Sequence, residues 1–86
     1  MTNWHNLITE EMEDQKETWE DVISCTLDDI ELDRSFDNGY GGPEGKPFTL
    51  WTKNRVYFPI CYDGVEWVGS ASRNPDGQAT EHLGGY

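Results

Sequence analysis

Residues 48–73 read FTLWTKNRVYFPICYDGVEWVGSASR, and this stretch decides the fold class. Its clearest local feature is the pair Asp63-Gly64, which stands between two runs rich in β-branched and aromatic residues. Both central positions of a type I′ turn need positive φ, and this pair satisfies that need in a two-residue hairpin. Such a turn fixes the register, so that Ile60 lies opposite Trp67. With one more strand before it, the stretch predicts a meander of three antiparallel strands.

In this register one face of the sheet gathers most of the large apolar side chains of the stretch. They are Trp51, Val56, Phe58, Ile60, Val65 and Trp67. Aromatic rings bury about 150–250 Å² each, so we expect this face to pack as ordinary core. The alternative is a base-stacking platform for single-stranded nucleic acid. That mode needs a basic groove, and this half offers only Lys53, Arg55 and Arg73.

The N-terminal part of the chain has a helical pattern. Apolar residues recur with a period near 3.6 residues at Trp4, Leu7, Ile8, Met12, Trp19, Val22 and Ile23. Polar residues interrupt the stripe at 15–16, and Thr18 with Asp21 approximates a capping box. The pattern predicts helices over about 3–15 and 18–26, with a single bent helix as the alternative.

A third, shorter helix or turn is expected around residues 28–36, where Ile30, Leu32 and Phe36 could be buried. The following stretch, DNGYGGPEGKP at residues 37–47, holds four glycines and two prolines. A composition of this kind excludes regular structure and indicates a loop.

Together these elements predict one α+β domain, in which N-terminal acidic helices pack on a three-stranded antiparallel β-meander. A chain of 86 residues has room for a single modest core. The expected parts of the domain 1–86 are an acidic helical part at 1–37, a Gly/Pro loop at 38–47, the β-meander at 48–73 and a loose C-terminal tail at 74–86.

The net charge of −11 is distributed unequally along the chain. Residues 1–46 hold 13 acids and 3 bases, whereas residues 47–86 hold 4 acids and 3 bases. Nucleic acids and anionic membranes attract Lys and Arg, so neither is an expected partner. No apolar run approaches 18 residues, and no secretory signal pattern is visible. Cys25 and Cys61 form no CxxC motif, which favours a cytosolic protein with reduced thiols.

The residues that could carry chemistry lack the necessary spacing. An EF-hand can be aligned on residues 33–44, but Asn38 stands where the loop requires glycine. The two histidines and two cysteines are zinc ligands by type, yet no pair has ligand spacing. Neither a nucleophile elbow nor a phosphate-binding Gly-rich loop is present. We therefore expect no enzyme, no metal site and no cofactor.

The stretch TEEMEDQKETWED, residues 9–21, carries seven acids against the single base Lys16. Acids four residues apart on a helix destabilise it by about 0.2–0.5 kcal/mol per pair. One interpretation is a solvated helix face. The other is a row of acids about 5.4 Å apart that imitates a phosphate backbone, with Phe36 or Tyr40 as an aromatic anchor. The candidate partner-binding residues are Glu10, Glu13, Asp14, Glu17, Glu20, Asp21, Asp28, Asp29, Glu31, Asp33 and Asp37.

In size, charge and layout the chain resembles phage-borne anti-CRISPR proteins and other phage DNA mimics. The resemblance extends over the whole chain and rests on no residue motif. It implies an inhibitor, in the cytoplasm of a bacterial host cell, that occupies the nucleic-acid-binding surface of a CRISPR-Cas effector.

The charge pattern leaves two alternatives open. One is a nuclease inhibitor or toxin-immunity protein bound to a basic enzyme. The other is a non-enzymatic accessory subunit whose acids only confer solubility. A homodimer through an apolar patch on the sheet is left open as well.

Overall fold

The computed structural model describes residues 1–39 and 44–83, so the predicted loop and tail are described only in part. The elements in chain order are helix α1 (Trp4–Asp14), a 3-10 turn (Trp19–Asp21), strand β1 (Val22–Cys25), helix α2 (Asp29–Asp33), and strands β2 (Leu50–Thr52), β3 (Arg55–Tyr62) and β4 (Val65–Ser72). The strands form one antiparallel sheet in the order β1-β2-β3-β4, with α1 packed against β4. The predicted α+β class is confirmed.

Helix α1 confirms the first predicted helix. The Asn3 side chain caps its N-terminus by accepting a hydrogen bond from the backbone N–H of Asn6 at 2.8 Å. The inward stripe Trp4, Leu7, Ile8 and Met12 is buried. The indole of Trp4 packs between Phe36 and Phe48, with ring centroids 4.8 and 4.9 Å away. This aromatic cluster joins the helix to the segment that leads into β2.

The helix ends where the polar interruption predicts. Lys16 adopts a left-handed conformation with φ of 60°. The backbone N–H of Glu17 then donates to the carbonyl of Met12 at 2.8 Å, and that of Lys16 donates to the carbonyl of Glu13 at 3.2 Å. These two bonds form a Schellman motif, which turns the chain away from the helix axis.

The second predicted helix, over 18–26, is wrong. The capping box of Thr18 and Asp21 is present, but the chain continues for only one 3-10 turn and then enters strand β1. The β-branched pair that opens β1 favours a strand over a helix. Ile23, expected to face inward, is 63% exposed. The short helix α2 is confirmed and buries Leu32, although its Ile30, expected to be buried, is 78% exposed.

The predicted meander is confirmed in strand order and register. Ile60 pairs with Trp67 across β3 and β4. Asp63 and Gly64 have φ of 53° and 79°, as a type I′ turn requires. The prediction of three strands is incomplete, because β1 pairs with β2 and adds a fourth strand, Cys25 lying opposite Leu50.

The core lies on the sheet face opposite to the predicted one. The buried apolar residues are Trp4, Leu7, Ile8, Met12, Leu27, Leu32, Phe36, Phe48, Leu50, Tyr57 and Val68. Because side chains alternate along a strand, Leu50, Tyr57 and Val68 share one face, which α1 covers. We call this the covered face, and it also carries Thr52, Glu66 and Ser70.

The opposite face is called the open face and consists of Trp51, Val56, Phe58, Ile60, Val65 and Trp67. Val65 is exposed, and the other five side chains are half-buried. The expectation that these residues form the main core is therefore wrong. The expectation fails because the polar residues Thr52, Glu66 and Ser70 alternate as solvent-facing residues would. In the structure each of them is buried and hydrogen-bonded inside the protein.

Candidate partner-binding surface

The eleven predicted partner-binding acids divide into those with an internal role and those without one. Nine of them are exposed, and the exceptions are Glu17 and Glu31. Within residues 1–39 and 44–83, six make no side-chain hydrogen bond and no salt bridge, and we call them the free acids. They are Glu10, Glu13, Asp14, Glu20, Asp29 and Asp33.

Glu17 supports the covered face and does not point freely to solvent. Its carboxylate accepts hydrogen bonds from the Thr52 hydroxyl at 3.0 Å and from the Tyr57 hydroxyl. Burial and this carboxylate raise the pKa of Tyr57, burial being the larger cause. Glu17 is predicted from the sequence to contact a partner, and the structure gives its carboxylate a structural role, because the Schellman turn carries its side chain back to the sheet.

Glu31 is likewise engaged within the protein. It forms a salt bridge with Lys46 and accepts a hydrogen bond from the backbone N–H of Asp28 at 3.3 Å. Lys46, and then the Asp28 backbone, lower the pKa of Glu31 below its ordinary value. One negative charge of the predicted row is thus already paired.

Three further predicted acids stabilise local turns. Asp21 accepts from the backbone N–H of Thr18 at 2.9 Å, and Asp28 accepts from that of Glu31 at 2.8 Å. Both bonds belong to capping boxes, in which the carboxylate satisfies an N–H that the helical turn leaves without a partner. Asp37 accepts from the backbone N–H of Gly39 at 3.2 Å. These acids remain exposed, but their orientation is fixed by the backbone.

The free acids follow the N-terminal half of the fold from one element to the next. Glu10, Glu13 and Asp14 lie in the second half of α1, and Glu20 lies in the 3-10 turn. Asp29 and Asp33 are one turn apart on α2, which packs against α1. The predicted row therefore exists as separate exposed acids on three elements and does not follow two consecutive helices.

A shallow hollow, which is not predicted from the sequence, lies between α1, the 3-10 turn and α2. His5 stacks on Trp19, with ring centroids 4.7 Å apart and ring planes 11° from parallel. The indole N–H of Trp19 donates to the Thr9 hydroxyl at 2.8 Å, which fixes the ring. Asp29 and Asp33 line the same hollow, which has a volume of about 440 Å³.

An aromatic surface flanked by two carboxylates is suited to a cation. A guanidinium or ammonium group can lie against the ring face while its N–H groups donate to the carboxylates. The spacing of Asp29 and Asp33 is readable from the sequence. Their proximity to Trp19 is not, because it depends on the chain leaving the 3-10 turn as a strand.

Two more carboxylates, not predicted as site residues, serve the interior. Glu11 accepts from the Ser70 hydroxyl at 2.7 Å, and the guanidinium of Arg55 donates to the same hydroxyl at 2.9 Å. The Glu66 side chain is only 2% exposed and accepts from the backbone N–H groups of Glu44 at 2.7 Å and Gly45 at 2.9 Å.

Of the two aromatic anchors, Phe36 is a core residue, which corrects that expectation, and Tyr40 lies outside the described residues. Cys25 and Cys61 are free thiols, and burial raises the pKa of Cys25. In the described ranges, no three His, Cys, Asp or Glu residues are grouped closely enough to hold a metal ion. None of the helices there is long and apolar enough to span a membrane.

No protein-family model, curated protein or solved structure matches this chain.

Proposed function

We propose that this protein is a small inhibitor that binds the basic nucleic-acid-binding surface of a CRISPR-Cas effector, or of another nucleic-acid enzyme, and blocks access of the nucleic acid. The observation that supports this most is the set of free acids on α1, the 3-10 turn and α2. They stand in a segment, residues 1–46, whose 13 acids and 3 bases give a net charge of −10.

Exposed acids that form no salt bridge repel one another in the free protein. Asp29 and Asp33 are an i,i+4 pair on α2, and Glu10 and Asp14 are another on α1. Each such pair weakens its helix by about 0.2–0.5 kcal/mol, a repulsion that a positively charged partner would remove. The same field would steer the protein toward a basic groove and make the association rate fall with added salt.

The hollow beside Trp19 gives this surface a point of specificity. We expect an arginine of the target to enter it, because a planar guanidinium can stack on the His5–Trp19 pair and donate to Asp29 and Asp33 together. A lysine offers a single point charge and is the weaker fit. The free acids around the hollow would then meet the basic residues that otherwise contact phosphates.

The test compares two triple variants that change the net charge by the same amount. The surface variant replaces Glu13, Asp14 and Glu20 by their amides. Each exposed charge pair contributes about 0.2–1 kcal/mol, so we expect the loss of three pairs to lower the affinity for the target about 3- to 150-fold. The control variant carries Asp63→Asn, Asp76→Asn and Glu81→Gln, which lie outside the free acids, and it should keep its affinity within about threefold.

Binding and DNA cleavage are to be measured with purified Cas effector complexes of several types, each loaded with its guide RNA. A supporting result is inhibition of cleavage by at least one effector, competition with its target DNA, and loss of both in the surface variant only. Inhibition of a basic nuclease with the same variant pattern would assign the inhibitor to a nuclease. Pull-down from a bacterial lysate that retains only a non-basic partner, regardless of salt, would contradict the proposal and favour an accessory subunit.

A further inference from the structure

The open face has an unusual composition for so acidic a protein. Its strand positions carry no aspartate and no glutamate. Besides the large apolar residues they hold Ser24 in β1, Tyr62 in β3, and Gly69 and Ala71 in β4. Continuing the alternation of side chains along the strands, the nearest charged residues on the side of the open face are Lys53 and Arg73. They lie one residue beyond the ends of β2 and β4. The four strands contain one acid, Glu66, and it lies on the covered face.

We propose that the open face is the contact surface for a second copy of this chain, with the two sheets packed face to face. Two sheets pack in this way about 10 Å apart in β-sandwiches, with their apolar side chains interdigitated. A two-fold axis through the patch would place the same residues of both copies against each other. The inference is independent of the proposed inhibitor function.

The charge distribution favours this occupant. Each chain has a net charge of −11, so electrostatic repulsion opposes the association of two copies. The repulsion is small only if the acids of one copy remain far from those of the other and in contact with water. Packing the open faces together buries no carboxylate of the strands and leaves both α1 helices on the outer sides. The axes of the two helices would be separated by about 30 Å, which is the sum of about 10 Å between the sheets and about 10 Å for each of the two helix layers. That distance exceeds the Debye length of about 8 Å at physiological salt, so their repulsion is screened.

The area of the patch lies at the lower end of the range for a specific dimer. β3 and β4 are eight residues long each, and β1 and β2 are four and three residues long. With a rise of about 3.3 Å per residue and about 4.8 Å between strands, the face projects roughly 350–400 Å². Corrugation of the side chains increases the accessible area above the projected one, so two copies approach the limit of about 1,000 Å² for a specific interface. Interfaces of this small size belong to weak, transient complexes, so we expect a dissociation constant of about 1–100 μM.

Two details of the patch fit sheet packing. A Cβ added to Gly69 would overlap with Cδ1 of Ile60, so the side chain of Ile60 lies across this glycine. Leu83 of the C-terminal segment lies against the same place and is still 46% exposed. The patch is therefore continuous across β3 and β4, and Leu83 covers part of it with a further apolar side chain that is itself partly exposed.

Sedimentation equilibrium of the purified chain, from about 1 μM to 1 mM, tests the proposal without any target protein. Phe58→Glu places a charge at the centre of the open face, and Val65→Glu places one at a position that is already 45% exposed. Ile30→Glu is the matched control, because Ile30 is 78% exposed on α2 and outside the patch. Circular dichroism checks that each variant is folded.

We expect dimers of the wild-type chain, a dissociation constant raised at least about tenfold by Val65→Glu and Phe58→Glu, and no change with Ile30→Glu. Added NaCl should leave the dimer unchanged or tighten it, whereas it should weaken binding to a basic target. If Phe58→Glu does not fold, Val65→Glu alone decides. A wild-type chain that is monomeric up to 1 mM, or an equal effect of Ile30→Glu and Val65→Glu, would overturn the proposal.

Discussion

Both faces of the sheet carry large apolar side chains, but only one of the two faces is covered. The covered face lies under α1 and includes Thr52, Glu66 and Ser70, which are at most 4% exposed. The open face carries two tryptophans and a phenylalanine and remains partly accessible. In most half-buried antiparallel sheets the apolar face is covered and the polar face is solvated. Here the covered face holds three polar residues beside the apolar core, and each of the three has a hydrogen-bond partner.

The covered face shows what makes this arrangement stable. The Thr52 hydroxyl binds Glu17, the Ser70 hydroxyl binds Glu11 and Arg55, and the Glu66 carboxylate binds two backbone N–H groups. No buried side-chain nitrogen or oxygen in the described residues is left without a hydrogen-bond partner. Polar groups that are all hydrogen-bonded can be buried at little net cost in free energy. When one partner is missing, the remaining buried group destabilises the fold by its full desolvation free energy. The face is therefore sensitive to the loss of any one partner.

The largest effect is expected for Glu66→Ala on the covered face. Glu66 holds the segment at residues 44–45 through two backbone N–H groups, and its own N–H donates to the carbonyl of Asn38 at 2.7 Å. Removing the carboxylate leaves the two N–H groups without an acceptor, so the free energy of unfolding should fall by about 2–4 kcal/mol. Urea unfolding followed by tryptophan fluorescence measures it.

The control for this variant is Glu81→Ala, which removes an exposed carboxylate and should change stability by less than about 0.5 kcal/mol. Equal effects of the two substitutions would contradict the assignment of Glu66 as the anchor of the 44–45 segment.

A smaller difference should separate one substitution made on each face of the same strand. Val68 on the covered face is 4% exposed, and Val65 on the open face is 45% exposed. Val68→Thr buries a hydroxyl among apolar neighbours and should lower the unfolding free energy by about 1–3 kcal/mol. Val65→Thr leaves its hydroxyl in water and should change the unfolding free energy by less than about 0.5 kcal/mol, measured at a protein concentration well below the dissociation constant expected for the dimer. Similar losses for both valines would show that the two faces are equally accessible.

Local signals in the sequence were sufficient for a large part of this fold. The turn Asp63-Gly64 determines the register of β3 and β4, because only a few residue types accept its dihedral angles. The stripe of α1 and its end at Lys16 are likewise local. These features depend on residues no more than a few positions apart.

The parts that the sequence could not determine depend on distant contacts. Val22 to Cys25 continues a helical spacing, yet it forms a strand because the edge of β2 is available for pairing. Which face of the sheet is covered depends on hydrogen bonds between residues far apart in the sequence. Tyr57 donates to Glu17, 40 residues away, and Ser70 donates to Glu11, 59 residues away. For the candidate site, exposure of the acids was predictable, whereas the internal roles of Glu17 and Glu31 and the hollow beside Trp19 were not.

The smallest expected effect concerns Tyr57, the most buried aromatic residue of the sheet. Its hydroxyl donates to Glu17, so Tyr57→Phe should lower the free energy of unfolding by about 1 kcal/mol at neutral pH. Tyr62→Phe, which removes an exposed hydroxyl, should lower it by less than about 0.5 kcal/mol.

A pH series makes the Tyr57 prediction specific. Burial, with the Glu17 carboxylate as a second cause, raises the pKa of Tyr57 above its ordinary value near 10. Above pH 10 the unfolded chain releases this proton while the folded chain retains it, so the stability of the wild-type protein should fall as the pH rises. The Tyr57→Phe variant lacks the group and should lose stability less steeply between about pH 9.5 and 11. Parallel curves of unfolding free energy against pH for the two proteins would show that the Tyr57 hydroxyl is accessible to water. The covered face would then be accessible at the residue that is expected to be its most buried aromatic one.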